Sequence, residues 1–359
     1  MLGLAGIISR TPLKTSLPKK RTEYRGVLAG ICSDIAMTGA EDETEVVLDF
    51  PNAFRCYKSG RVDRFIGTDV VPPGVDPATG VASKDAALLP DVSARLFLPK
   101  IADPAAKNKL PVLLHFHGGI FVLHTPFSGA YSSYLASLAA AANALIVSVN
   151  YRRAPESPLP AAFDDSWAAF QWVTSHAGGS GPDPWLADHG DFARVFLAGD
   201  SVGAAISHHV ARRLGEEGSA EATARPAGAI LVHPFFWGTH EMGPKDEDPR
   251  RWGFIERIWR FLCPGTSGAD DPLINPLVGW PTAMAGLGCG RVLVCVAEKD
   301  GLRSWGWAYY EGLRSSGWNG TVEIVESEGE DHVFHLKKPE SGHVRELMNR
   351  LVDFINNSP

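Results

Sequence analysis

The pattern of apolar positions changes period repeatedly along the chain, and each change marks an element. In ARLFLPK (94–100) apolar and polar residues alternate, the period of a strand with one covered face. PVLLHFH (111–117) and ALIVSVNY (144–151) are apolar on both faces, as strands buried from two sides are. ARVFLAGD (193–200), AGAILVHPF, GRVLVCVAEKD and GTVEIVES predict further strands. TPFSGAYSSYLASLAAAAN, AAFDDSWAAFQWVTSH (161–176), VGAAISHHVARRL and the closing LMNRLVDFINN predict helices between and after them. Upstream, VVLDFPNAFRCYKSGRVDRF (46–65) predicts a short helix or strand feeding a hairpin around Ser59-Gly60, before a loop rich in Pro, Gly and Asp at 71–80.

Strands and helices in alternation, with strands apolar on both faces, give an α/β class: a mostly parallel central sheet with helices on both faces. Such sheets place ligands at the carboxyl ends of their strands. Residues 235–279 break the alternation and are rich in aromatics, among them Trp237, Trp252, Phe254, Trp259 and Phe261. This segment reads as a helical excursion that joins the segment at about 37–57 to cap the site. The aromatics either wall a pocket or are simply core. No internal repeat or long low-complexity tract is visible.

The chain has 359 residues, the size of one α/β domain carrying a cap, so 37–359 is read as a single domain. Its net charge of −7 argues against a nucleic-acid partner. No apolar run reaches the roughly 20 residues of a membrane-spanning helix. The cysteines Cys32, Cys56, Cys263, Cys289 and Cys295 are odd in number, scattered and without a CxxC pair, which argues against a disulfide scaffold or zinc site and for a reducing compartment. Residues 1–36 carry Arg10, Lys14, Lys19, Lys20, Arg21 and Arg25 against Glu23 and Asp34. This leader is either an organelle transit peptide or a disordered or spurious extension with the start at Met37. The expected location is the cytoplasm, or a plastid if the leader is a transit peptide.

Gly199-Asp200-Ser201-Val202-Gly203 follows a predicted strand and opens a predicted helix, the context in which GxSxG forms a nucleophile elbow. So tight a turn brings the positions two before and two after the serine against neighbouring backbone, where only small residues fit. The hydroxyl then stands at a helix N-terminus, which favours developing negative charge. Acyl transfer also needs backbone N–H donors for an oxyanion. His117-Gly118-Gly119 at the end of an early strand matches the HGGG-type loop, with Ile120 in the last position. The candidate oxyanion hole is Gly118, Gly119, Ile120 and Val202, with Gly119 and Ile120 the loop donors and Val202 completing them.

In this arrangement the chain order is serine, acid, histidine. His332 in GEDHVFH lies in a polar loop after the strand VEIVES and is the candidate base, ahead of His335. His115, His208, His209 and His233 read as structural. Asp300 follows the strand RVLVCVAEK and is the candidate acid; Glu298 lies one alternation away and points elsewhere. The pairs His332/His335 and His115/His117 lack a carboxylate or cysteine cluster, so neither a metal nor a cofactor is expected.

Taken together, HGG, YRRAPE with a following DD, GDSVG, AEKD and GEDHVFH resemble the plant carboxylesterases of the hormone-sensitive-lipase branch of the α/β-hydrolases, from about Glu45 to the C-terminus. The resemblance implies an α/β-hydrolase core, a cap made partly from the N-terminal segment, and hydrolysis of small-molecule carboxylic esters through an acyl-serine. It also implies that Glu156 and Asp165 are structural supports. Three positions depart from the family's commonest pattern: Ile120 for the third glycine, Val202 for alanine, and Asp331 for the glycine before the histidine. Relatives on the same scaffold include lactone-forming ester transferases, dehydratases and cyclases, and receptors that lack the histidine. These are the alternative functions.

Overall fold

The computed structural model describes residues 42–101, 109–217, 225–239 and 249–357. The leader at 1–36, and the parts of the expected cap at 37–41 and 240–248, lie outside them. The described chain enters through a small antiparallel sheet of β1 (Val46–Phe50), β2 (Phe54–Tyr57) and β3 (Val62–Arg64). The β2–β3 hairpin turns where expected, with Gly60 at a φ of 88°. Of the short helix or strand expected ahead of that hairpin, the structure has the strand. Two strands, β1 and β2, stand there, because Leu48, Phe54 and Cys56 bury with alternating rather than helical spacing.

The central sheet follows. β4 (Ala82–Leu89) and β5 (Val92–Leu98) lead into β6 (Leu110–Phe116), β7 (Leu145–Asn150), β8 (Gly190–Asp200), β9 (Gly228–Val232), β10 (Arg291–Ala297) and β11 (Thr321–Ser327). Their order is β11-β10-β9-β8-β6-β7-β5-β4, antiparallel only where β4 and β5 join the edge. β6 is buried along its whole length, as a strand covered on both faces must be. The edge strand β4 carries too many polar residues to stand out in the sequence.

Helices α1 (Gly129–Ala142), α2 (Ala161–Thr174), α3 (Pro184–His189) and α4 (Val202–Glu217) alternate with the middle strands. The chain then forms α5 (Pro249–Leu262), α6 (Thr282–Ala285), α7 (Arg303–Ser315), α8 (Phe334–Lys337) and α9 (Gly342–Asn356). Apolar residues of α2, α4 and α7, such as Phe170, Ile206 and Leu313, pack into one core with Leu114 and Leu197. Leu135 of α1 and Leu351 of α9 pack into a second with Leu113 and Phe196 on the other face of the sheet. Adjacent residues of one strand thus feed opposite cores, as a pleated strand requires. Among the described residues, no helix is long and apolar enough to cross a membrane.

Candidate active site

The turn from β8 to α4 is as tight as the glycines imply. A Cβ on Gly199 would lie 2.3 Å from the Gly203 carbonyl carbon, and one on Gly203 would lie 2.0 Å from the Phe116 oxygen. Ser201 takes a φ of 55°, in the left-handed region that L-residues avoid. The surrounding structure holds it there: its N–H donates to the Val232 oxygen at 2.9 Å, and its own oxygen accepts from Phe235 N–H at 3.0 Å. Val202 opens α4, so its N–H has no carbonyl one turn back to bond.

Ser201, His332 and Asp300 meet although the sequence separates them widely. His332 Nε2 lies 3.0 Å from Ser201 Oγ, and His332 Nδ1 lies 2.7 Å from Asp300 Oδ2. Burial pushes the Asp300 carboxyl up. The hydrogen bond and charge of His332, with the Leu302 N–H, outweigh that and hold it below its ordinary value. An ionised carboxylate only accepts, so Nδ1 carries the proton and Nε2 is left to accept from the serine hydroxyl.

The loops bearing the acid and the base are tied together. Lys299 N–H donates to the Glu330 oxygen at 2.9 Å, and Gly329 N–H donates to Glu298 Oε2 at 2.7 Å. Asp331 accepts from His332 N–H at 2.6 Å. Val333 then takes a φ of 48° and donates its N–H to His233 Nδ1 at 3.1 Å. His233 thus props the turn that carries His332. His208 and His209 lie along α4, and His335 is buried in α8 with its ring centroid 4.8 Å from that of Tyr134.

The turn after β6 differs from expectation at one position. Gly118 N–H donates to the Tyr131 hydroxyl at 2.7 Å, so it is not available to an oxyanion. A buried N–H takes the nearest acceptor, and here that is a side chain from α1. The N–H groups of Gly119 and Ile120 meet no acceptor among the described residues. Gly119, Ile120 and Phe121 stand at φ of 108°, 56° and 59°, and the Gly119 oxygen accepts from Val122 N–H at 3.0 Å and Leu123 N–H at 2.7 Å. Only the first of the three is a glycine, so the turn holds real strain at Ile120 and Phe121.

A chamber of about 270 Å³ opens over Ser201, Asp300 and His332. Its other walls are Phe50, Ile120, Phe235, Phe254, Ile255, Ile258, Gly301 and Leu302. Phe50 of β1 and Phe254 of α5 meet edge to face at 5.2 Å, so the small sheet and the aromatic segment close over the site together. Trp237 and Trp259 are core instead, and Phe261 packs partly buried against it. The small sheet is anchored by Arg64. Its guanidinium pairs with both oxygens of Glu156, at 2.8 and 2.7 Å, and donates to the Val122 oxygen at 2.7 Å. Asp165 pairs with Arg152 at 2.6 Å. Both carboxylates, expected to be structural, contact arginines rather than the chamber.

Sequence reasoning missed Tyr131, Asp200 and Tyr151. Asp200 was visible inside the GDSVG motif, but nothing marked it beyond adjacency to Ser201. The tyrosines carry no local signal, because their partners are distant in sequence. Among the described residues, no group of three His, Cys, Asp or Glu side chains is placed to hold a metal ion.

A family model described as alpha/beta hydrolase fold matches residues 113–336, the stretch from β6 to α8. A protein described as probable carboxylesterase 13 of Arabidopsis thaliana is 44% identical over 326 residues, covering 87% of this chain and 98% of its own length. Tuliposide A-converting enzyme 1, chloroplastic, of Tulipa gesneriana is 45% identical over 315 residues, covering 87% of this chain and 79% of its own. Among solved structures, a thermostable esterase from Pseudomonas putida superposes with a TM-score of 0.64 at 24% identity, covering 80% of this chain and 85% of that one, a likeness of fold. The glycine-bounded elbow at the end of β8, the strand order and these matches agree: the chain belongs to the α/β-hydrolase family, in the branch that holds the plant carboxylesterases.

Proposed function

We propose that the chain hydrolyses small, largely apolar carboxylic esters, with Ser201 as nucleophile, His332 as general base and Asp300 orienting the ring. The observation that carries this reading is the hydrogen-bonded row at the chamber floor. A serine oxygen stands 3.0 Å from an imidazole nitrogen whose other nitrogen is 2.7 Å from an ionised carboxylate. The chamber wall is made of Phe, Ile and Leu side chains. It gains from burying apolar ester surface, and among the described residues its lining carries no Lys or Arg to pair with a charged acyl group. The segments 42–57, 235–239 and 249–279 act as the described part of a cap.

In the reaction, Ser201 Oγ bonds to the ester carbonyl carbon as its proton passes to His332 Nε2. The N–H groups of Gly119, Ile120 and Val202 hold the oxygen that becomes negative. The carbon–oxygen bond to the alcohol breaks, and the alcohol leaves with the His332 proton. Water then attacks the acyl-serine, giving a proton to His332; the bond from the acyl carbon to Ser201 Oγ breaks, His332 returns that proton to Oγ, and the acid is released. A low Asp300 carboxyl keeps its charge throughout and stabilises the imidazolium.

The test is labelling with a fluorophosphonate followed by peptide mapping. Modification at Ser201, lost in Ser201→Ala and His332→Ala, is the expected result. A folded protein left unlabelled at Ser201 would refute the reading. Turnover of a labelled-competent enzyme in ¹⁸O-water separates hydrolysis from ester transfer, since only hydrolysis puts the label in the acid.

A further inference from the structure

Asp200 stands beside Ser201 at the end of β8, yet its side chain turns away from the chamber and under the oxyanion turn. Its Oδ2 accepts from the Tyr131 hydroxyl at 2.8 Å. The oxygen of that hydroxyl in turn accepts the Gly118 N–H at 2.7 Å. Both side chains are buried, Tyr131 to 1% exposure and Asp200 to 2%. The fit leaves no slack, because a Cβ on Gly118 would lie 2.5 Å from Asp200 Oδ2. The peptide before Gly118 is pinned as well: the His117 oxygen accepts from the Tyr151 hydroxyl at 2.7 Å, and the two rings stack at 4.2 Å.

The turn needs such support. Gly119, Ile120 and Phe121 occupy left-handed φ values in succession, and two of them are residues that avoid that region. A strained turn persists only when its surroundings over-determine it. Donors to an oxyanion are useful only if already in place, since misplacement by about 1 Å can cost on the order of a hundredfold in rate. A carboxylate behind the hydroxyl polarises it and makes it a stronger acceptor for the Gly118 N–H. Burial raises the Asp200 carboxyl to about 6, and the Tyr131 hydrogen bond works against that rise.

We propose that Asp200 and Tyr131 are positioning residues for the oxyanion turn. The carboxylate fixes the tyrosine hydroxyl, the hydroxyl fixes the Gly118 peptide, and the Gly119 and Ile120 N–H groups are thereby set in register with Ser201. This rests on the reading of those two groups as oxyanion donors. Neither side chain touches the reacting atoms, so the pair acts on the transition state and leaves substrate binding alone.

The experiment compares the full-length protein with Tyr131→Phe, Asp200→Asn and Asp200→Ala. Rates are expressed per active site titrated with a fluorophosphonate, and melting temperatures are recorded alongside. Tyr131→Phe is expected to lower kcat by roughly ten- to a hundredfold with KM nearly unchanged. Affinity for a trifluoromethyl ketone, which forms a tetrahedral oxyanion adduct, falls by a similar factor, and the pH at which kcat/KM rises stays put. Asp200→Asn keeps a carbonyl to accept from the hydroxyl, so it retains more kcat than Asp200→Ala. A Tyr131→Phe enzyme with kcat and ketone affinity within about twofold of the parent, whatever its melting temperature, overturns the proposal. Should that variant not fold, equal kcat in the parent and both Asp200 variants overturns it instead. Failure of the parent itself to be titrated at Ser201 would be a failure of the esterase reading, not of this one.

Discussion

The His332 ring and the Asp300 carboxylate meet at 2.7 Å because the strands that carry them are parallel neighbours, with Ala297 of β10 level with Ser327 of β11. Loops leaving the same edge of two paired strands lie side by side, whatever number of residues separates them. Asp300→Asn keeps the shape but offers an amide in place of a carboxylate, which favours the wrong imidazole tautomer. The expected loss in kcat is on the order of 10⁴-fold with KM little changed. Steady-state kinetics on an activated ester decide it, and a loss under tenfold would show that Asp300 does not orient the base.

Ile120 combines a strained backbone with a side chain on the chamber wall, at a φ of 56°. Ile120→Gly removes a backbone penalty of about 1–2 kcal/mol but adds flexibility to the unfolded chain, so the net change in stability is small. The lost side chain widens the chamber. The ratio of kcat/KM for bulky or long acyl esters to that for acetate is expected to rise about tenfold. An unchanged chain-length profile would exclude Ile120 from substrate selection.

Gly203 has no room for a methyl group, since its Cβ would stand 2.0 Å from the Phe116 oxygen, a backbone atom of the neighbouring strand. Gly203→Ala must therefore separate α4 from β6. It is expected to destabilise the fold by about 3 kcal/mol or more, seen as a lowered denaturant midpoint or loss of soluble protein. Gly317 takes a φ of 84° with open space around its Cβ, so Gly317→Ala, strained but not clashing, serves as the milder comparison.

Acid weakens this fold through its buried histidines. Burial lowers His115, His208 and His335 to about 3 and His209 to about 4, from an ordinary 6.5. The unfolded chain binds these protons more readily, so the stabilisation is complete above about 6.5 and is lost as pH falls toward the folded values. Asp200 has the opposite sign. Its folded value is raised to about 6 from 3.8, so its contribution is present below 3.8 and is lost as pH rises through about 6. The histidines outnumber it, and the urea midpoint is expected to fall between pH 7 and pH 5. Both nitrogens of His335 are buried without a partner among the described residues, so His335→Phe should flatten that slope. Equal midpoints at the two pH values would contradict the account.

Much of the fold and the outline of the site can be read from the chain itself. Gly199 and Gly203 around Ser201 mark an elbow because a turn that tight excludes side chains, a constraint written at fixed spacing. Asp300 and His332 follow apolar runs such as RVLVCVA, and the ends of parallel strands are where such sheets bind ligands. The segment at 42–57 was harder, since a few alternating residues fit either a short helix or a strand. The aromatic segment was divided by tertiary contacts alone: Phe254 faces the chamber, whereas Trp237 and Trp259 are buried in the core.

What local pattern determined here is whatever is set by period, turn sterics and motif spacing: the alternating strands and helices, the elbow, and the residues at the strand ends. What only the tertiary structure decided is where each polar group finds its partner. Gly118 looks like an oxyanion donor in the sequence, but its N–H goes to Tyr131, held in turn by Asp200. A buried N–H bonds whichever acceptor packing brings within reach, and that choice depends on how α1 lies against β6 and β8, which no stretch of sequence around Gly118 contains.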